Sequence, residues 1–142
     1  MAGLATQRHG VVTHRQLADA GLTDAEIRHR LESGALLREY RGVYRAGHRA
    51  PSIAASYLAA VSACGEGAFL GCRAAVHEWE LVRGPAPPPE VTSPREHRIP
   101  GVLTRRSRRL DPRDTTIRDG IPIVTVARDP WPAPTREPRR AR

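Results

Sequence analysis

The sequence contains no lysine, and all 23 of its basic residues are arginine. Schiff-base enzymes and P-loop proteins both need a lysine, and so does a nuclease core built on paired acids and a lysine, so these three kinds of site are excluded. No GxSxG or HExxH motif occurs, and the histidines and acids are scattered over different predicted elements. We therefore expect no catalytic residues and no enzymatic activity.

Cysteine is nearly absent, because Cys64 and Cys72 are the only two and form no CxxC pair. With the histidines also unclustered, neither a zinc site nor a disulfide framework is indicated, and we expect no metal and no cofactor. No segment approaches the ~18 apolar residues of a membrane-spanning helix, and the start MAGLATQRHG lacks the apolar run of a signal peptide. The expectation is a cytoplasmic protein without membrane contact.

The formal net charge is +8, but the charge is unevenly distributed. Residues 1–92 contain ten arginines and nine acids, whereas residues 93–142 contain thirteen arginines and six acids. A positive balance favours polyanions such as nucleic acid without selecting a sequence. The near-neutral first part fits a protein-binding surface better, so both kinds of partner stay open.

Two consecutive helices that each begin at a threonine are predicted near the start of the chain. Thr13 and Thr23 are each followed three residues later by Gln or Glu, which is the spacing of a capping box. Leu17 and Ala20 give the first helix an apolar side, and Gly21 ends it in a conformation that suits glycine. Helix, glycine turn and helix within about twenty residues indicate a helix-turn-helix.

The second helix has a narrow apolar side, formed by Ile27 and Leu31, and a polar arc opposite. For an isolated helix of this kind, a plain solvent-facing surface is a more common explanation than a binding surface. The next residues, ALLREYRGVYRAG, predict a two-stranded hairpin with its turn at Arg41 and Gly42. A helix-turn-helix followed by an arginine-bearing hairpin favours a winged arrangement, whose hairpin can reach the phosphates beside the helix.

Residues 50–81 predict two further helices separated by a short apolar piece, AFL. The first is capped by Ser52 and has one apolar face, formed by Ile53, Tyr57, Leu58 and Val61. In the second, Cys72 belongs to an apolar stripe and His77 lies off it. We therefore expect a buried thiol and a solvated imidazole.

A proline-rich connector at 83–91 leads into β-rich pieces, of which TTIR and IPIV flank Asp119-Gly120, a strong hairpin signal. The arginines at 105, 106, 108 and 109 are explained either as a solvated edge that protects a strand from aggregation or as a nucleic-acid contact. The last fourteen residues, 129–142, contain four prolines and four arginines without apolar periodicity, so we expect them to be disordered.

Four spaced motifs occur in order between residues 10 and 47, namely GVVT, AGLT, RLESG and YRGVYRAG. They resemble the N-terminal winged helix-turn-helix domain of the AbiEi family antitoxins, from abortive-infection toxin–antitoxin systems. The stretches from GAFLGCRAAVHEWEL to IPIVTVAR are similar to the second part of such proteins, so the resemblance covers nearly all of residues 3–128. It implies a DNA-binding domain that represses its own operon.

In larger relatives, the segment corresponding to IPIVTVAR continues into a leucine-rich helix and an endonuclease-like domain. In this sequence, Arg128 is followed by DPWPAP. The resemblance therefore implies that the endonuclease-like domain is missing and that nuclease activity does not carry over. A frameshift and a natural truncation remain alternatives.

We predict an α+β protein in three parts. A winged helix-turn-helix domain covers 1–49, a small α+β domain with two helices and a mainly antiparallel sheet covers 50–128, and a disordered tail covers 129–142. The expected function is that of a sequence-specific DNA-binding antitoxin and autorepressor, with double-stranded DNA and a cognate toxin or its operon as partners. The alternatives are a protein-interaction module that docks on a partner such as a toxin, and a truncated remnant of a nuclease-like protein.

Eight residues form the predicted DNA-binding surface. The side chains expected to face base edges in the major groove are those of Ala25, Arg28, His29 and Glu32. The side chains expected to contact phosphates are those of Arg15, Arg38, Arg41 and Arg45.

Overall fold

The computed structural model describes residues 8–48, 50, 52–108 and 110–125. In chain order, the first part contains β1 (Val11–Thr13), α1 (His14–Asp19), α2 (Asp24–Ser33), β2 (Leu36–Tyr40) and β3 (Val43–Ala46). The second part contains α3 (Ile53–Ala63), β4 (Phe69–Leu70), α4 (Cys72–Glu78), β5 (Glu90–Ser93), β6 (Leu103–Arg106), a 3-10 turn (Pro112–Asp114), β7 (Thr115–Arg118) and β8 (Ile121–Val124). The predicted α+β class is confirmed, and the expected tail, 129–142, lies outside the described residues.

Both predicted capping boxes are present. The Thr13 hydroxyl accepts from the backbone N–H of Gln16, and the Gln16 side chain accepts from the Thr13 N–H at 3.0 Å. Thr23 and Glu26 repeat this pair of bonds at the start of α2. Each threonine cap contributes about 0.5–2 kcal/mol to the stability of its helix. Ala20, expected on the apolar side of α1, is exposed because the helix already ends at Asp19.

The hairpin of β2 and β3 is joined by a third strand, β1, which the sequence did not indicate. The order is β1-β3-β2 with antiparallel pairing throughout. One face of this sheet covers helices α1 and α2, and the small core between the sheet and the helices consists of Val12, Leu17, Ile27, Leu36 and Tyr44. Val11 and Val43 belong instead to the larger core that includes α3.

Helix α3 contacts strands of both sheets. The side chains of this helix that are buried are Ala55, Tyr57, Leu58, Ala59, Ala60 and Val61. Ile53, expected on the apolar face, is 47% exposed, because it is the first residue of the helix and lies outside the space between the sheets. The boundary expected at residue 49 therefore precedes a helix whose core is shared by the two parts of the molecule.

The second sheet has the order β6-β5-β4-β8-β7. It is mixed and not mainly antiparallel, because β5–β6 and β4–β8 are parallel while β4–β5 and β7–β8 are antiparallel. The hairpin predicted around Asp119-Gly120 is confirmed. Both turn residues have positive φ, 54° and 75°, as the tight turns that match strand twist require.

Helix α4 corrects two expectations. Cys72 is half-buried, because as the first residue of the helix it has a φ of 53° and the apolar stripe begins only with Ala74 and Ala75. His77 is half-buried and not the solvated side chain expected, since its ring meets Tyr57 edge-on at 6.3 Å between centroids. Its buried Nδ1 has no hydrogen-bond partner among the described residues. The Tyr57 hydroxyl also donates to the carbonyl of Pro87 at 2.8 Å, so the proline-rich connector is anchored to α3.

Candidate nucleic-acid interface

Helix α2 exposes the polar arc that the sequence predicted. Ile27 is buried in the small core and Leu31 packs partly against it. The side chains exposed on the rest of the helix include all four predicted base contacts, Ala25, Arg28, His29 and Glu32. Neither Arg28 nor His29 forms an ion pair or a side-chain hydrogen bond with another described residue. Their donors are therefore available to a partner.

A short chain of polar contacts joins α2 to the wing, the hairpin of β2 and β3. His14, the first residue of α1, places Nε2 3.2 Å from Oδ1 of Asp24, the first residue of α2. The Nδ1 of the same ring lies 3.2 Å from the hydroxyl of Tyr44 on β3. The Arg38 guanidinium lies over the Tyr44 ring, 5.9 Å from its centroid. These contacts, here called the His14 network, connect the first turn of α2 with the wing.

No sequence pattern indicated the His14 network, because its members come from elements that are adjacent only in the fold. In the neutral tautomer that donates from Nε2 to the Asp24 carboxylate, Nδ1 accepts from the Tyr44 hydroxyl. The wing turn is tied to the same place, since the His14 backbone N–H donates to the carbonyl of Gly42 at 2.8 Å. The start of α1 thus connects the wing turn, β3 and α2.

The four predicted phosphate contacts have different surroundings. Arg38 and Arg41 are exposed, and neither pairs with an acid in the described part of the chain. Arg15 is 80% exposed and lies 3.7 Å from Glu66, which is 94% exposed, so solvent screens this pair. Arg45 is only 15% exposed and donates from Nε to Glu39 at 2.6 Å. Arg38 and Arg41 are therefore the wing arginines most accessible to a polyanion.

A cavity of about 480 Å³ lies away from α2, between α4 and the β7–β8 turn. Its polar lining includes Glu78, Arg118 and Asp119. Burial is the main reason that the pKa of Glu78 is raised, followed by the Asp119 carboxylate, while Arg118 opposes the shift. Arg118 stacks 4.7 Å from the Trp79 ring centroid and donates from Nε to the carbonyl of Glu78 at 3.0 Å. These contacts brace α4 against β7.

The described residues offer no group of three or more His, Cys, Asp or Glu side chains that could hold a metal ion. The longest helix among them, α3, has 11 residues, and none is long and apolar enough to cross a bilayer. The features that stand out are thus the exposed polar arc of α2 and the arginines of the wing.

A helix-turn-helix that is followed by a hairpin on a small antiparallel sheet is consistent with the class of winged helix-turn-helix domains. Residues 3–47 match the model of a family described as transcriptional regulator, AbiEi antitoxin. The resemblance inferred from the sequence motifs is therefore confirmed over this segment. The similarity inferred for the later stretches, up to residue 128, stays a prediction. No curated protein matches the chain.

Proposed function

We propose that the protein is a sequence-specific DNA-binding regulator of the AbiEi antitoxin type, which acts in the cytoplasm by binding and not by catalysis. The observation that carries this proposal is the exposed polar arc of α2, held by the His14 network beside the exposed arginines of the wing. The family match of residues 3–47 supports the regulatory role. In this proposal, the protein occupies the operator of its own operon and represses it.

The α2 side chains suit the base edges of the major groove. Arginine pairs in bidentate fashion with O6 and N7 of guanine, and a carboxylate accepts from N4 of cytosine. Arg28 therefore favours guanine, and Glu32, one helical turn away, favours cytosine. His29 adds a hydrogen-bond donor between them. Ala25, in the first turn, is small enough to let the helix approach and to contact a thymine methyl group.

Arg38 and Arg41 take the role of phosphate contacts on the wing. Backbone contacts of this kind fix orientation and register but do not select a sequence. Arg15 adds a weaker contact, since it must leave its exposed partner Glu66. The Arg45 side chain is itself mostly buried and must leave Glu39, so we expect its contribution to be smaller than that of Arg41.

The test is a gel-shift titration of the full chain with the upstream region of its own gene and with a scrambled duplex. Replacing Arg28 and His29 by alanine should reduce the preference for the specific duplex, with a loss of about 1–3 kcal/mol for each base contact. The matched control is Arg73→Ala with His48→Ala, which removes the same side-chain types from exposed positions outside α2. Unchanged affinity of the α2 variant for both duplexes contradicts the proposal.

The second candidate function is a protein-interaction module that docks on a cognate toxin. Exposed apolar residues on the two edge strands of the second sheet favour it, namely Leu103 on β6 and Ile117 on β7, which are 55% and 70% exposed. The same titration at two salt concentrations separates the candidates, because phosphate contacts make DNA affinity fall steeply with salt. A protein-docking module shows no specific, salt-sensitive DNA complex.

A further inference from the structure

A groove of about 590 Å³ separates the wing turn from the loop between β5 and β6. One wall contains Tyr40 and Arg41 of the wing, and the other contains His97 and Arg98 of the loop. Glu39 also lines the groove, but its carboxylate already accepts from Arg45 at 2.6 Å. Glu39 therefore does not neutralise the exposed guanidinium groups of Arg41 and Arg98, which lie one on each wall of the groove.

The loop and the strand that follows it are rich in exposed arginine. Residues 94–108 contain one acid, Glu96, and five arginines, here called the arginine strip: Arg95, Arg98, Arg105, Arg106 and Arg108. All five are exposed. None of their guanidinium groups pairs with an acid or forms a hydrogen bond within the residues that the structure describes.

Protection of a sheet edge explains only part of this strip. Strand β6 is the terminal strand of the second sheet, and charges on such a strand prevent pairing with another chain. Arg105 and Arg106 lie on β6 and suffice for that purpose. Arg95, Arg98 and Arg108 lie outside the strand, so edge protection gives no reason for them.

Uncompensated like charges around a groove repel one another in the free protein. A cleft with walls of low dielectric also concentrates their field, which attracts an anion into the space between them. The planar guanidinium fork matches the geometry of phosphate oxygens. A phosphodiester backbone offers a row of such anions and can follow the groove outward along the strip.

We propose that the arginine strip is a second phosphate-binding surface, reached by the DNA backbone where it passes from the wing across the groove between Arg41 and Arg98. This inference rests on the proposed function and extends it from the helix-turn-helix to the second sheet. Its contacts carry no sequence preference, so the strip adds affinity equally to operator and non-operator DNA.

The experiment compares Arg98→Ala and the double variant Arg98→Ala with Arg108→Ala, two arginines that edge protection does not explain, against a charge-matched control, Arg73→Ala with Arg83→Ala. The control arginines are exposed residues outside the strip. Affinity of the full chain for operator and scrambled duplexes is measured between about 50 and about 200 mM salt, a range over which each phosphate contact contributes a factor of roughly 3.5. Over this range, the factor by which the affinity falls should be about ten times larger for the wild type than for the strip double variant.

Three outcomes decide the matter. If the strip variants weaken both duplexes and flatten the salt dependence while the control does not, the inference holds. If the wild type binds the operator but the strip variants behave like the control, the inference fails and the proposed function stands. If the wild type shows no preference for the operator, the proposed function fails, and the inference fails with it.

A second titration tests whether an acidic protein binds the strip. Poly-L-glutamate serves as the probe, titrated against wild type and the strip double variant. Loss of poly-L-glutamate binding together with unchanged DNA binding assigns the strip to an acidic partner and overturns the inference. Thermal melts of all variants should match wild type, because every substituted side chain is exposed.

Discussion

Helices α2 and α3 have nearly equal lengths, 10 and 11 residues, and each is capped by a hydroxyl side chain, yet their surroundings are opposite. Ile27 is the buried residue of α2, whereas α3 buries six of its side chains between two sheets. Burial makes α3 the common core of the molecule. Exposure leaves α2 with a polar surface that its own fold does not use and that a partner can reach.

The difference between the two helices can be tested first through stability. Leu58→Ala on α3 should lower the free energy of unfolding by about 2–5 kcal/mol, because Leu58 is fully buried and the cavity cannot collapse between two sheets. Leu31→Ala on α2 should cost less, because Leu31 is only half-buried. Chemical denaturation measures both values. Equal losses at the two positions would show that α3 is not the shared core.

The second test concerns the His14 network, which holds α2 beside the wing. His14→Ala removes the contacts to Asp24 and Tyr44 and should weaken operator binding by less than about 1 kcal/mol, because the Asp24 side chain is 82% exposed and solvent screens its contact. His14 acts here as a positioning residue. His48→Ala, at another exposed histidine, is the control. A double-mutant cycle with Asp24→Ala should show coupling, and strictly additive effects would contradict the network.

The smallest expected effect is a pH dependence at Glu78, in the cavity behind α4. Because burial raises the pKa of Glu78 in the folded chain above the ordinary 4.5, folding binds its proton more tightly. The contribution of the Glu78 carboxyl to the free energy of unfolding is therefore fully present at low pH. It is lost as the pH rises through the pKa that this carboxyl has in the folded state. Glu78→Gln should therefore stabilise the protein near pH 7 and leave it unchanged near pH ~3.5, where the unfolded carboxyl is also protonated.

Thermal melts at the two pH values measure this effect. Glu96→Gln, at an exposed glutamate of the β5–β6 loop, is the control and should change stability little at either pH. If Glu78→Gln destabilises the protein at neutral pH, Arg118 outweighs burial in its effect on the carboxylate, and the assigned cause of the shift is wrong.

Much of the first part of the fold could be predicted because short stretches of sequence decide it. Thr13 and Thr23 each meet a partner three residues away, and Gly34 ends α2 with a φ of 81° that glycine readily adopts. The wing turn at Arg41 and Gly42 is equally local. The exposed arc of α2 follows directly from the 3.6-residue period once Ile27 is placed inside.

The features that sequence reasoning missed depend on residues far apart in the chain. Val11–Thr13 is only three residues long and becomes a strand by pairing with β3, whose partner residues lie 30 to 34 positions later in the chain. Alanines 55, 59 and 60 give no periodic signal, so the burial of α3 on most of its surface was not visible. The parallel pairing of β4 with β8 joins Leu70 to Ile123 and cannot be predicted from either segment alone.

The most direct measurement places a photo-reactive side chain at matched exposed positions on the two helices, Glu32 on α2 and Ser56 on α3. Irradiation with bound operator DNA should cross-link the protein through position 32 and leave position 56 unreacted. Cross-linking through position 56 with none through position 32 would contradict the claim that the exposed side of α2 meets the duplex.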